Sequence, residues 1–140
     1  MSLSAGSRVY EGGAGLAFAV ALRAEYPVSP AFLIEAASSV ADPVEGVFRS
    51  TTTVFELQVQ AQLPGEHMAP YVGAGAGIAR FRQGAVGIAG EGVVLSVGGG
   101  ARIALRRQLG LVADARLRIA ASGGADTHGD VTVGLRYRFR

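Results

Sequence analysis

The residues of this sequence with the clearest chemical potential are a histidine and the serines and acids around it. A serine, a histidine and a carboxylate can form a hydrolytic triad, and Ser96, Ser122 and His128 supply the serine and the histidine. Nothing in the sequence fixes their geometry, so a lipid-modifying enzyme is our third hypothesis. Asp126, His128 and Asp130 imitate the spacing of a metal-binding loop, but we interpret them as solvated loop residues.

Two further patterns imitate reactive sites and have a simpler structural explanation. Glu35 and Glu56 could act as an acid pair, yet arginines are available to neutralise both. The Gly-x-Gly run at 73–77 lacks the Gly-Lys-Ser/Thr ending of a phosphate loop and lies within a predicted strand. The chain has no cysteine, which excludes disulfides and thiolate metal sites. We therefore predict no catalytic residue, no metal and no cofactor.

Arginines and carboxylates that alternate with apolar residues are the remaining candidates. All 13 basic residues are arginine, whose planar guanidinium group suits multidentate pairing with carboxylates in crowded interiors. The net charge of +2 is too small to indicate a nucleic-acid partner. We predict a structural charge network that contains Arg23, Glu25, Glu35, Glu56, Arg102, Asp114, Arg116 and Arg136.

The elements that must position these charges are β-strands. In residues 131–140, Val, Leu, Tyr and Phe occupy the odd positions, and Thr, Gly and Arg occupy the even ones. This period of two predicts a strand with one apolar and one cationic face. Seven further alternating segments precede it, at 3–10, 15–26, 31–39, 51–63, 70–82, 93–106 and 109–121. The sequence thus predicts an all-β, eight-stranded antiparallel domain that covers residues 1–140.

The composition and the spacing of the strands favour an up-and-down transmembrane β-barrel. Hydrophobic residues make up 49% of the chain, but no apolar run reaches the roughly 18 residues that a membrane helix needs. The predicted connections are short after strands two, four and six and longer after strands three, five and seven, which is typical of membrane barrels. We expect surface ligands, if any, to bind the longer loops at 40–50, 82–92 and 122–130.

Alternation alone leaves open which face of the sheet lies inside. A soluble barrel would point its apolar face inward, whereas a membrane barrel inverts the arrangement. The polar face is rich in glycine, which we expect to make room for guanidinium groups in a narrow lumen. This face also carries charges of both signs, which can neutralise one another as enclosed charges must. We predict the inverted arrangement, with a soluble lipocalin-like barrel that binds a small apolar ligand as the alternative.

The turn between strands six and seven tests this assignment. Arg102 and Asp114 share a face only if that turn contains an odd number of residues. A turn at 107–109 would place them directly opposite each other, and a turn at 106–108 would place them one pair apart.

Four stretches of the sequence resemble the OmpA/OmpX-type family of small outer-membrane barrels. They are 71–77, 98–102, 109–111 with Arg116, and 133–139. The resemblance implies a non-enzymatic protein of the bacterial outer membrane, in contact with the lipid bilayer, that acts in envelope integrity or surface adhesion. It also implies that the barrel-assembly machinery recognises the aromatic end of the last strand, here Tyr137 and Phe139.

Two features depart from the family pattern. Arg140 follows the terminal aromatic residue, and the chain has no Trp, so aromatic girdles at the membrane interfaces would be thin. The girdle candidates are Tyr26, Phe32, Tyr71, Tyr137 and Phe139 at one rim and Tyr10, Phe48 and Phe81 at the other.

Overall fold

A computed structural model describes residues 1–10, 16–43, 50–83, 88–123 and 127–138. The eight strands are β1 (Ser2–Tyr10), β2 (Leu16–Pro27), β3 (Phe32–Pro43), β4 (Ser50–Gln62), β5 (Met68–Gln83), β6 (Ile88–Ala104), β7 (Leu109–Gly123) and β8 (His128–Tyr137). Each strand pairs antiparallel with the next, and β8 closes the barrel by pairing with β1. The predicted eight-stranded up-and-down barrel is confirmed. No helix among the described residues is long and apolar enough to cross a membrane.

The two ends of the barrel differ in what they contain. The terminal end holds Met1, the end of β8 and the connections 28–31, 63–67 and 105–108. The opposite end, called the loop end here, holds the connections after β1, β3, β5 and β7. At the terminal end the backbone amide of Tyr137 donates to the Met1 carbonyl oxygen at 2.8 Å, which joins the two ends of the described chain.

The loop-end connections are shorter than predicted. β3 continues to Pro43, β6 begins at Ile88 and β8 begins at His128, so parts of the predicted loops 40–50, 82–92 and 122–130 belong to strands. The strand bounds leave four to six residues for the connections after β3, β5 and β7, against four or five after β2, β4 and β6, so the predicted contrast in length is much reduced. Alternation missed these strand ends because polar residues and glycines interrupt the apolar pattern next to them, at 38–39, 90–92 and 128–130. Residues 44–49, 84–87 and 124–126 lie outside the described part of the chain.

The apolar face of the sheet points outward, as predicted. Leu57 is 63% exposed and Leu135 55% exposed, whereas Arg116 is only 3% exposed. A soluble protein would hide those leucines, but acyl chains can cover them in a bilayer. The structure gives no support to the lipocalin-like alternative, because the face that would hold an apolar ligand carries charges instead.

The register between β6 and β7 matches one of the two predicted turns. Gly100 pairs with Asp114, and Arg102 pairs with Val112. The backbone amide of Leu105 donates to the Leu109 carbonyl oxygen at 3.0 Å, which closes a turn at 106–108. Arg102 and Asp114 consequently lie on the same inward face, one pair apart.

Glycines on the inward face allow close packing. The prediction was that they make room for guanidinium groups, but most of them lie against other atoms. A Cβ atom at Gly75 would lie 2.1 Å from the carbonyl oxygen of Leu57 and 2.6 Å from Cγ of Gln58. At Gly98 it would lie 3.3 Å from Cβ of Arg116. The glycines of β5 thus let the backbone of β4 approach and make room for its glutamine side chains, and among the glycines described here Gly98 lies beside an arginine side chain.

Small apolar side chains occupy the lumen near the loop end. They form two buried clusters, Ala17 with Ala19 and Ala41, and Val54 with Ala79 and Val94. The charged residues lie between these clusters and the terminal end, which confines the candidate site to the middle and the terminal half of the lumen.

Candidate functional site

The candidate site is a set of ion pairs inside the barrel, called the lumen network here. Five arginines and five carboxylates contribute, so the formal charges of the described network balance. Its members are Arg23, Arg102, Arg116, Arg118, Arg136, Glu25, Glu35, Glu56, Asp114 and Asp130. Strand alternation places all ten on the inward face, and β2, β3, β4, β6, β7 and β8 carry them.

Arg116 lies at the centre of the lumen network. Its Nη2 atom donates to Glu35 at 2.9 Å and to Asp114 at 3.2 Å, and its Nη1 atom donates to Glu56. The Arg116 side chain is almost fully buried, and so are the carboxylates of Glu35 and Glu56. One guanidinium group therefore links β7 to β3 and β4 through the interior.

Arg118 extends the network toward the loop end. Its Nε and Nη2 atoms donate to the two carboxylate oxygens of Glu56 at 2.8 Å and 3.0 Å, and its Nη1 atom donates to Asp130. The fork-shaped contact with Glu56 uses the planar geometry of both groups, which makes such pairs stronger than single contacts. Glu56 is thus shared by Arg116 and Arg118.

Asp114 is held by three groups from different strands. Arg23 donates to its Oδ1 atom at 3.0 Å and also to the Thr132 hydroxyl at 2.9 Å. The Tyr71 hydroxyl donates to Asp114 Oδ2, and Arg116 supplies the third contact. These bonds satisfy a buried carboxylate that would otherwise be strongly destabilising.

Glu25 anchors the network at the terminal end. Its Oε1 atom accepts from Arg102 Nε at 3.2 Å, and its Oε2 atom accepts from Arg136 Nη2 at 2.6 Å. Arg102 also donates to Gln60, and its guanidinium carbon lies 3.8 Å from the centroid of the Tyr71 ring, a cation–π contact.

Uncharged side chains of β4 and β6 extend the network. Gln60 donates to Gln58 at 3.2 Å, and Gln58 donates to the Ser96 hydroxyl at 2.8 Å. Since Gln60 also accepts from Arg102, a continuous chain of hydrogen bonds runs from Arg102 to Ser96.

The eight residues selected from the sequence all lie in this network, but three of its partners were missed. Arg118 shares the alternation of Arg116, which predicts the same charged face for both, but it is not among the eight selected residues. Asp130 belongs to a predicted loop. It is two residues from Thr132, so the alternation of the strand would place both on the inward face. Tyr71 is a predicted girdle residue, but it is buried in the lumen. It is two residues from Gly73, so alternation indicates the inward face for both.

The other girdle and assembly candidates lie on the outside or beyond the described residues. Tyr26, Phe32 and Tyr137 are exposed at the terminal end. Phe139 and Phe48 fall outside the described residues, and the side chains of Tyr10 and Phe81 are not described.

The candidate triad is not assembled among the described residues. In the backbone register, Arg118 of β7 lies opposite Ser96 of β6 on one side and opposite His128 of β8 on the other. The backbones of the serine and the histidine are therefore two strand spacings apart, roughly 10 Å. The Ser96 hydroxyl already accepts from Gln58. The side chain of Ser122 and all of Asp126 lie outside the part of the chain that the structure describes.

The metal hypothesis gains no support in the part of the chain that is described. His128 and Asp130 lie in β8 and face the lumen rather than a solvated loop. Within residues 1–10, 16–43, 50–83, 88–123 and 127–138, no three His, Cys, Asp or Glu side chains are grouped to hold a metal ion.

Comparison with known proteins identifies the fold. No family model matches the sequence, and no curated protein sequence matches it significantly. The crystal structure of Neisserial surface protein A has a TM-score of 0.83 at 14% identity, over 99% of this chain and 94% of that chain. Ail, the attachment invasion locus protein of Yersinia pestis, has a TM-score of 0.69 at 13% identity, with 99% and 94% coverage.

A third solved structure shows that this fold also carries enzymes. The outer membrane enzyme PagL has a TM-score of 0.65 at 14% identity, over 99% of this chain and 100% of that chain. Such low identities establish the fold alone. The predicted outer-membrane localisation agrees with these structures. The chain has the closed, eight-stranded up-and-down barrel fold of these small outer-membrane proteins, in agreement with the resemblance to the OmpA/OmpX-type family.

Proposed function

We propose that this protein is a non-enzymatic barrel of the bacterial outer membrane with a structural or surface-interaction role in the envelope. The observation that carries the proposal is the charge-balanced network in the lumen. It uses the inward side chains to bind one another, so the interior serves the stability of the barrel rather than a substrate.

A closed lumen supports this role over that of a porin. Arg116 crosses the interior to reach Glu35 and Glu56, and small apolar side chains line the lumen on its loop-end side. The interior of an eight-stranded barrel is only wide enough for side chains, whereas water-filled porins have 16 or more strands. We infer that solutes do not pass through.

The separation of Ser96 from His128 supports a non-enzymatic role. The Ser96 hydroxyl bonds to Gln58, and Arg118 lies in register between the serine and the histidine. A triad needs direct hydrogen bonds between its members, and the register instead places Arg118 between Ser96 and His128.

A ligand at the cell surface would bind outside the lumen. Ail has been solved with the heparin analogue sucrose octasulfate, and a surface ligand for the present chain is by analogy a proposal for its loop-end connections. We further propose that the barrel-assembly machinery recognises the end of β8, where Tyr137 points outward and Phe139 follows.

Cell fractionation and planar-bilayer recording together test the proposal. We expect the protein in the outer-membrane fraction, a folded band that changes mobility on heating, and no stable conductance. Recovery in a soluble fraction would contradict the membrane role, and a steady ohmic current would contradict the closed lumen. To test for enzymatic activity, purified barrel is incubated with outer-membrane lipids, which we expect to be recovered unchanged.

A further inference from the structure

The mouth of the barrel at the terminal end forms a cavity of about 610 Å³, called the vestibule here. It lies between the connection 63–67 and the turn 106–108, and its size falls within the range of small-molecule sites. Its charged lining side chains include Arg102, Arg106, Arg107, Arg136, Arg138 and Glu66. The vestibule therefore combines five guanidinium groups with one carboxylate.

Three of these arginines have no ion-pair partner within the described part of the chain. Arg106, Arg107 and Arg138 are exposed, and none forms an ion pair with a residue that the structure describes. Arg102 and Arg136 are bound to Glu25, which leaves the outer part of the vestibule with an excess of positive charge. Clefts lined by one sign of charge concentrate counter-ions of the opposite sign.

Arg102 adds an independent observation at the floor of the vestibule. The residue is only 4% exposed. Its Nε atom binds Glu25 and its Nη2 atom binds Gln60, but its buried Nη1 atom has no hydrogen-bond acceptor among the described residues. A buried donor without an acceptor is costly. Arg102 lines the vestibule, so an anionic oxygen that entered as far as its guanidinium group would supply the missing acceptor.

We propose that the vestibule binds a small anion that carries phosphate groups. Planar guanidinium groups bind phosphate oxygens through paired N–H donors, and several of them around one cavity suit a multiply charged ligand. Arg102 contacts the anion from the floor, and Arg106, Arg107 and Arg138 contact it from the rim. The proposal depends only on the terminal end of the barrel and is independent of the envelope role proposed above.

Calorimetric titration with inorganic pyrophosphate tests this site on the full chain, refolded in a neutral detergent at low ionic strength. We expect saturable binding to the wild-type protein. The double substitution Arg106→Gln and Arg107→Gln weakens it about tenfold, since it removes two charged contacts. The matched control Arg80→Gln and Arg82→Gln removes the same charge from the exposed outer surface near the loop end and leaves the affinity within about twofold.

A second variant and a second detergent condition keep the test decisive. Arg138→Gln weakens binding in the same direction and leaves the turn 106–108 unchanged. Micelles doped with phosphatidylglycerol distinguish the source of the phosphate: competition with pyrophosphate assigns the site to a lipid headgroup, and undiminished binding assigns it to a soluble anion. Absence of saturable heat with the wild type, or equal weakening by the vestibule and control substitutions, overturns the proposal.

Discussion

Arg116 on β7 and Glu35 on β3 form an ion pair across the lumen, with Nη2 2.9 Å from Oε1. Four strand positions separate β3 from β7 in the closed sheet, so these residues lie on opposite walls of an eight-stranded barrel. The pair connects parts of the sheet that share no backbone hydrogen bonds. Side-chain contacts of this kind make the stability of the barrel depend on a few interior residues.

Replacement of Arg116 by Ala should strongly destabilise the barrel. The change deprives Glu35, Glu56 and Asp114 of a shared partner in a buried site, and breaking a buried ion pair costs about 3–5 kcal/mol. Urea unfolding in lipid vesicles measures the loss. The control is Arg80→Ala, which breaks the exposed pair with Glu91 and should change the free energy of unfolding by less than about 1 kcal/mol. Similar losses in both variants would contradict the importance of the buried contact.

The same substitution should open the lumen to ions. Removing the central guanidinium group leaves a polar gap that water can fill. Planar-bilayer recordings should therefore detect a conductance for Arg116→Ala that is absent from the wild type. Recordings from Arg80→Ala, which alters only the outer surface, should match those of the wild type. If Arg116→Ala remained closed, the interior would be blocked by other side chains.

The Tyr71 hydroxyl should contribute measurably to stability. Replacement by Phe removes the donor to Asp114 Oδ2 but keeps the ring beneath Arg102. A buried acceptor that loses its donor costs about 1–3 kcal/mol, which the shift of the unfolding midpoint reports. Tyr26→Phe makes the same chemical change on an exposed side chain and should leave the midpoint unchanged. An unchanged midpoint for Tyr71→Phe would mean that the Asp114 carboxylate is satisfied without this hydroxyl.

Gly75 should tolerate no larger residue. A Cβ atom there would lie 2.1 Å from the Leu57 carbonyl oxygen, so Gly75→Ala forces β4 and β5 apart and should cost about 1–3 kcal/mol. At Gly129 the nearest atom to such a Cβ is 3.9 Å away, which makes Gly129→Ala a matched control with little effect. The folded fraction on unheated gels compares the two variants. Equal folding yields would show that the strands adjust to the added methyl group.

Alternation predicted the faces of the strands because each strand has a period of two. In β4, Glu56 follows Phe55 and precedes Leu57, and the parity alone places the carboxylate inside and the leucine outside. Alternation predicts which face of the sheet a side chain occupies, but it does not predict which residue that side chain contacts. The contact of Arg116 with Glu35 depends on the closure and width of the barrel, which no local pattern encodes.

Errors in the sequence-based predictions occurred where alternation weakens. Gly129 precedes Val131 at an outward position, so the apolar signal of β8 begins only after Asp130, and that carboxylate was placed in a loop. The vestibule was missed for a different reason. Arg106 and Arg107 are adjacent in sequence, but their position beside Arg138 depends on the turn 106–108 meeting the end of β8.

Replacement of Leu57 by Arg tests the outward face directly. Leu57 lies near the middle of β4, and an arginine that faces lipid at the bilayer midplane costs about 2–4 kcal/mol. Leu63 lies just past the end of the same strand, where the cost falls to about 0–1 kcal/mol, so Leu63→Arg is the matched control. Unfolding in vesicles should rank the two variants in this order. In neutral detergent the difference should shrink, because a micelle adapts to a charge more easily than a bilayer of fixed thickness. If Leu57→Arg and Leu63→Arg were equally stable in vesicles, the exposed leucines would not mark the depth of the membrane.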